Sequence, residues 1–373
     1  MGRKIRAAMI GTRSRQTYMY APILKRLTDD VEVVSVWGRS GGSVDRTAAV
    51  FGVPGYTNLQ TLIDETEPEI GIVCVNYDAN GEVALMAVEH GLSILTETPI
   101  AHNLDEADVI IRTAESKGLK VEVSEQFHRR PLEQLKLKLI ETGIFGKVHT
   151  SYSDFAGHGY HGMSVMRSYL GFDKKPVRVV GAMARFPMDP HLNVSSGEIE
   201  ERTESTEHAI VWFEDGGMGI YHWTGVGYDS GLRWWRSSRF MAERGMGVTV
   251  GTFLDVEERL SYLAPGSEGP QFITVERVLD RCDGGALKCL KAHTGSVENP
   301  VVSWDNPFYR EPTGSTPQWH DDEIGVAGCI MSLVDAVRND TAPTYGAVQA
   351  KLDQELVVLM RKSAEAGGTP MEM

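Results

Sequence analysis

Short apolar runs alternate with helical spacing through residues 1–125, and this alternation constrains the fold more than any other feature of the chain. Lys4 to Ile10, Val31 to Trp37, Glu69 to Val75, Leu92 to Leu95 and Leu119 to Val123 read as strands. Between them Tyr18 to Leu27, Val44 to Phe51, Leu59 to Glu65, Glu82 to His90 and Leu104 to Lys117 read as helices. Pro22 is tolerable in the first of these only near its opening turn. Strands that are apolar on both faces suit a parallel sheet covered by helices on each side. The expectation is an α/β doubly wound, Rossmann-type dinucleotide-binding domain over residues 1–125.

Beyond residue 125 the pattern changes. A helix from Leu132 to Thr142 leads through Gly143 and Gly146 into a strand from Lys147 to Phe155. Further strands are expected at Val177 to Arg185, His208 to Phe213, Met218 to Trp223, Ser238 to Ala242, Met246 to Gly251 and Phe272 to Val275. Helices at Asp321 to Arg338 and Tyr345 to Ala366 close the chain. Runs of strands without intervening helices predict a second, α+β domain over residues 126–373 with an open, largely antiparallel sheet. Ile210, Trp212, Ile220, His222 and Phe240 are expected to form its outer face, apolar enough to pair with another subunit.

Charge and cysteine usage exclude several functions. With 37 Lys+Arg against 51 Asp+Glu the formal charge is −14, which disfavours nucleic acid and anionic membrane surfaces as partners. The 4 cysteines are scattered and form no CxxC pair, so neither a disulfide framework nor a structural zinc site is expected. Ala7 to Ile10 is too short an apolar run for a signal peptide, and a cytoplasmic location is expected.

The turn after the first strand reads Gly11-Thr12-Arg13-Ser14-Arg15-Gln16, keeping one glycine of a GxGxxG fingerprint. Gly11 permits the turn, Ser14 and backbone amides suit a diphosphate, and Arg13 and Arg15 add positive charge. An ordinary turn with solvated arginines fits the same residues. The second strand runs into Gly38-Arg39-Ser40, where NAD-binding domains carry an acidic residue for the adenosine ribose. A small residue followed by Arg suits a 2′-phosphate, which favours NADP over NAD.

Several spaced motifs resemble the Gfo/Idh/MocA oxidoreductase family, which includes glucose–fructose oxidoreductase and inositol 2-dehydrogenase. They are Gly11, the strand Ile70 to Val75, Glu97-Thr98-Pro99-Ile100-Ala101, Leu104-Asp105-Glu106-Ala107 and Val123-Ser124-Glu125-Gln126-Phe127 with Arg130-Pro131. Glu141-Thr142-Gly143-Ile144-Phe145-Gly146-Lys147 and His161 with Gly171 continue the similarity. The resemblance implies that Asn76, Glu97, Thr98 and Gln126 lie at the cofactor, with Glu97 at the nicotinamide ribose. It also implies dimers or tetramers. The chain departs from the family's pattern at three places: Thr98 stands for the Lys of Glu-Lys-Pro, Gly157 for an Asp, and Asn80 for a His.

The resemblance implies that His161 stands where the family has its catalytic histidine, which makes it the candidate acid/base, with Tyr160 and His158 beside it in Gly157-His158-Gly159-Tyr160-His161-Gly162. Glycines there let the backbone approach a ligand closely, or merely make a turn. Trp319-His320-Asp321-Asp322-Glu323 reads as a helix start favoured by the dipole, and no metal is expected. Tyr221-His222-Trp223 and Trp234-Trp235-Arg236, with Arg233, either line a sugar-sized pocket or pack a sheet face. The leading expectation is an NAD(P)-dependent oxidoreductase acting on a secondary hydroxyl or keto group of a small sugar-like substrate. A lyase or glycosidase with a tightly held, recycled cofactor and a non-catalytic dinucleotide-binding subunit are the alternatives.

Overall fold

The computed structural model describes residues 3–155, 158–194, 196–224, 236–251, 256–280, 285–310 and 319–373. Gly157, Arg233, Trp234, Trp235 and Cys282 lie outside the described residues. The chain divides into two compact units, residues 1–129 with 320–352 and residues 130–319 with 353–373. The first unit thus takes in 320–352, which the sequence pattern had grouped with the second domain.

In the first unit β1 (Ile5–Ile10), β2 (Val31–Trp37), β3 (Gly55–Tyr56), β4 (Ile70–Val73), β5 (Ser93–Thr96) and β6 (Val121–Val123) form one sheet in the order β3-β2-β1-β4-β5-β6. Every pair is parallel. All residues of β4, β5 and β6 are buried, as a sheet covered on both faces requires. The expected first helix takes a different form: a π-helical turn, Gln16–Tyr20, runs into the short α1 (Ala21–Leu24). Pro22 follows that π turn as the second residue of α1. Then come α2 (Gly41–Phe51), α3 (Leu59–Thr66), α4 (Asn80–Glu89) and α5 (Leu104–Ser116), and after the second unit's segment α8 (Asp321–Asn339). Glu323 accepts the His320 backbone N–H at 2.9 Å, so the acidic cluster 319–323 starts a helix.

The second unit carries α6 (Pro131–Glu141), α7 (Gly159–Leu170) and an 11-stranded sheet. Its strands are β7 (Val148–Phe155), β8 (Pro176–Leu192), β9 (Ile199–Phe213), β10 (Met218–Thr224), β11 (Arg236–Ala242), β12 (Gly245–Gly251), β13 (Val256–Tyr262), β14 (Gln271–Leu279), β15 (Leu287–His293), β16 (Val301–Asp305) and β17 (Met371–Glu372). The order is β16-β15-β14-β13-β12-β11-β7-β10-β9-β8-β17. All pairs are antiparallel except β10 with β7. α9 (Gly346–Glu365) straddles the division of the chain at 352/353.

One sheet face packs under α7 and the second half of α9. Met163, Met166, Val179, Val211, Tyr221, Leu356 and Met360 form that core. Gly181 has no alternative there, because a Cβ would lie 1.9 Å from the Met360 carbonyl oxygen. The opposite face carries Ile210, Trp212, Ile220 and His222 half-exposed. Phe240 does not belong with them: it is fully buried, 5.0 Å from the Phe145 ring and 5.4 Å from Tyr169. Its position in β11 is paired with Ser151, whose neighbours in β10 point inward, so alternation puts it on the core face.

Lys136 is buried inside this unit, 3.0 Å from Glu133, and donates to Ser238 and Thr249. Ser238 and Tyr169 donate to Glu133, and Thr249 donates to Glu258. Burial pushes the Glu258 carboxyl up to about 7, with Lys136 opposing and Glu133 reinforcing the shift. The unfolded chain releases this proton near the ordinary 4.5, so the native state loses stability as pH rises from 4.5 towards 7. Glu258→Gln should be neutral at pH 4 and stabilising by about 1–3 kcal/mol at pH 8. Urea unfolding at both pH values measures this, and a difference independent of pH would contradict it.

Candidate functional site

The strand order of the first unit reverses between β1 and β4, and such a reversal opens a crevice at the carboxyl ends of the strands. A crevice of about 180 Å³ lies there. Gly11, Thr12 and Arg13 line it after β1, and Trp37, Gly38 and Arg39 at the end of β2. Val75, Asn76, Ala79 and Val83 complete it from β4 into α4. Gly11 has φ +112°, and a Cβ on it would lie 2.2 Å from the Cys74 carbonyl oxygen. The turn into the crevice therefore demands glycine. Thr12 donates to Ser43 at 3.1 Å, tying the β1 loop to α2.

These walls suit a dinucleotide. Two guanidinium groups border the crevice, and the Trp37 indole Nε1 is buried with no hydrogen-bond partner among the described residues. An anionic ligand with acceptor atoms matches both features.

A second group gathers around Glu97. Arg15 Nε donates to Glu97 Oε1 at 2.6 Å, as does the Tyr20 hydroxyl at 2.6 Å, and Tyr20 lies 3.0 Å from Ser124 Oγ. Burial and the Glu97 charge together hold the Tyr20 hydroxyl well above its usual range, so it remains a donor. Asn80 fixes the turn that follows, donating to the carbonyls of Pro99 at 2.8 Å and Glu97 at 3.1 Å and accepting from Thr96 at 3.1 Å. Thr98 sits half-buried in that turn, and its peptide bond to Pro99 is cis.

Of the residues expected at a cofactor, Gly11, Thr12, Arg13, Gly38, Arg39 and Asn76 line the crevice. Arg15 and Glu97 belong to the neighbouring ion pair. Ser14 lies in the opening turn of the first helix, and its carbonyl accepts the Thr17 hydroxyl at 2.7 Å. Ser40 precedes α2. Gln126 is buried beneath α8, where a Cβ on Gly325 would come within 2.7 Å of its carbonyl oxygen. Ala79 and Val83 escaped the sequence reading because small apolar residues on a helix carry no chemical signature.

In the second unit His158, Tyr160 and His161 open α7. The Tyr160 ring meets His161 edge-on at 4.6 Å and stacks on His158 at 5.4 Å. His161 is buried and His158 exposed. Gly159 and Gly162 pack closely: a Cβ on Gly159 would lie 2.6 Å from Val357, and one on Gly162 2.4 Å from the Tyr221 ring. Tyr221 and His222 face opposite sides of the sheet. Tyr221 is buried in the core, while His222 stacks on His208 at 4.5 Å and holds Asp154 at 3.1 Å.

Residues 5–125 match the Gfo/Idh/MocA oxidoreductase family model, described as an NAD-binding Rossmann fold. An uncharacterized oxidoreductase of Schizosaccharomyces pombe is 31% identical over 147 residues, 39% of this chain and 40% of that protein. The match thus spans about two fifths of the relative's length. An oxidoreductase domain protein from Kribbella flavida shares the fold with a TM-score of 0.73 at 16% identity, over 99% of both chains. Levoglucosan dehydrogenase, solved with NADH and levoglucosan, shares it with a TM-score of 0.70 at 13% identity, over 99% of both chains. Among the described residues no helix is long and apolar enough to cross a membrane.

The Arg15–Glu97 pair supplies a stability test. Arg15→Ala leaves a largely buried carboxylate with Tyr20 as its remaining donor in this group and should cost about 1–3 kcal/mol. Ser124→Ala removes one neutral contact and should cost less. Urea midpoints rank the two variants, and equal losses would mean that the ion pair contributes nothing beyond a neutral hydrogen bond.

Proposed function

We propose, from the match of residues 5–125 to the Gfo/Idh/MocA oxidoreductase family model, that the protein is an NAD(P)-dependent oxidoreductase acting on a secondary hydroxyl or keto group of a sugar-like substrate. The observation that carries this reading is the crevice at the β1/β4 reversal, bordered by Arg13 and Arg39. Support for a sugar-like substrate comes from levoglucosan dehydrogenase, a fold neighbour solved with NADH and levoglucosan. The nicotinamide, when bound, supplies hydride acceptance or donation.

The protein's own groups divide the remaining work. Arg13 and the backbone beyond Gly11 bind the diphosphate, and Arg39 favours a 2′-phosphate, hence NADP. Glu97, held by Arg15 and Tyr20, orients the nicotinamide ribose through its carboxylate. His161 moves the substrate proton, because an imidazole nitrogen can accept a proton and return it, and residue 98 is a threonine with no acid/base group. Tyr160, in ring contact with it, and His158, stacked on Tyr160, are the other candidates for that proton.

Half-exposed Ile210, Trp212 and Ile220 on the open sheet face suit self-association into a dimer or tetramer. Sedimentation showing only monomer at micromolar concentration would refute that assembly.

His161→Ala should lower turnover by about two to four powers of ten while leaving dinucleotide binding intact. KM should move far less, since the lost interaction belongs mainly to the transition state. Thr98→Lys is the companion variant, and it should fail to raise activity if His161 or Tyr160 already supplies the base. A strong gain from Thr98→Lys with little loss from His161→Ala would overturn the assignment. A dinucleotide that stays bound without net reduction would point instead to a recycled-cofactor lyase or glycosidase.

A further inference from the structure

Arg39 and Glu82 form an ion pair at the border of the crevice, Nη2 to Oε1 2.9 Å. Arg39 lines the crevice from the β2 side, and Glu82 follows Ala79 and precedes Val83, which line it from the α4 side. The side chains are 61% and 73% exposed, so the pair adds little to the fold and both groups stand ready for another partner.

Their charges favour different ligands. A ribose hydroxyl is a donor that a carboxylate accepts, whereas a 2′-phosphate is repelled by a carboxylate and bound bidentately by a guanidinium. The end of β2 offers no carboxylate, because Trp37-Gly38-Arg39-Ser40 occupies that stretch. In the structure the carboxylate comes from the other wall, on α4, and it holds the one guanidinium of that stretch. We propose that Glu82 sets the choice between the two dinucleotides: its carboxylate accepts the adenosine ribose hydroxyls and, by holding Arg39, weakens capture of a 2′-phosphate. This rests on the reading that the crevice takes a dinucleotide.

Arg39 and Glu82 then act as opposed selectors, and the protein accepts both NAD and NADP with a narrow ratio of affinities. Glu82→Gln keeps an acceptor for the ribose and removes only the charge, so it isolates the electrostatic part. Its surface position leaves the core untouched.

The test is direct binding of NADH and NADPH by nucleotide fluorescence, with no substrate present. Glu82→Gln should strengthen NADPH binding about tenfold and change NADH binding by less than about threefold. Arg39→Ala should move the ratio the other way by a similar factor, and in the Arg39→Ala background Glu82→Gln should lose most of its effect on NADPH. The gain should shrink as salt rises from about 0.05 to 0.5 M. A ratio unchanged within about twofold in Glu82→Gln, with binding retained, would overturn the role of Glu82 and leave the dinucleotide reading standing. Absence of binding for both nucleotides in the unaltered protein would overturn both.

Discussion

Glu122 has a fully buried carboxylate, and the organisation of the first unit follows from how that charge is satisfied. A carboxylate cut off from water needs donors for both oxygens, or it would cost several kcal/mol. Here Oε1 accepts the backbone N–H groups of Val123 at 2.9 Å and Gly346 at 3.0 Å. Oε2 accepts Arg129 at 3.0 Å and the Ser332 hydroxyl. Two of the four donors lie far along the chain, so the last parallel strand and the 320–352 segment are bound through one charge. Arg338 reinforces the attachment by donating to the Arg3 carbonyl at 3.0 Å and to Asp30 at 3.1 Å. α8 packs against β5 and β6, the last two strands of the sheet.

A sheet fixed in this way gives the loops at its carboxyl ends a firm base. The Glu97 turn leaves β5 next to β6, and Asn80 at the head of α4 grips its carbonyls. Arg15 reaches Glu97 from the β1 loop, so the ion pair spans from the first strand's turn to the fifth strand's end. The Glu97 carboxylate thus keeps a set orientation from Arg15 and Tyr20, while Asn80 holds its backbone carbonyl. Side chains held by packed neighbours of this kind need no rearrangement when a ligand arrives.

Strands were legible where the run is rich in β-branched apolar residues. β2 was expected over Val31 to Trp37 and has those bounds, because a run such as VEVVSVW is both β-branched and apolar. Strands of the open sheet were harder to read. β13, VEERLSY, buries only Leu260 and Tyr262 among charged residues, and β15, LKCLKAH, is interrupted by lysines. β8 continues to Leu192 although Pro187 and Pro190 argue for an earlier end. Beyond Val179 it has β9 on one side only, and its ladder is irregular between Met188 and His191. A proline on an edge strand or at a bulge sacrifices no ladder hydrogen bond. In the site, Gly11 and Arg39 were visible through their residue types. The Arg39–Glu82 and Arg15–Glu97 pairs were not, since they join residues 43 and 82 positions apart.

The incomplete glycine fingerprint has a physical account in the same elements. Of the three fingerprint positions only the first keeps its glycine, and there the Cys74 carbonyl closes off the Cβ position of Gly11. At the second glycine position Arg13 lines the crevice, exchanging close backbone approach for a positive charge. The third glycine of such a fingerprint normally allows close helix–strand packing. Gln16 stands there, fully buried, and its side-chain amide has no hydrogen-bond partner among the described residues. The helix takes the wider π turn over Gln16–Tyr20, beginning at this residue. The same turn delivers Tyr20 to Glu97 and Ser124. Replacing glycine by glutamine therefore coincides with a local change of helix type, and that change belongs to the hydrogen-bonded group that orients Glu97.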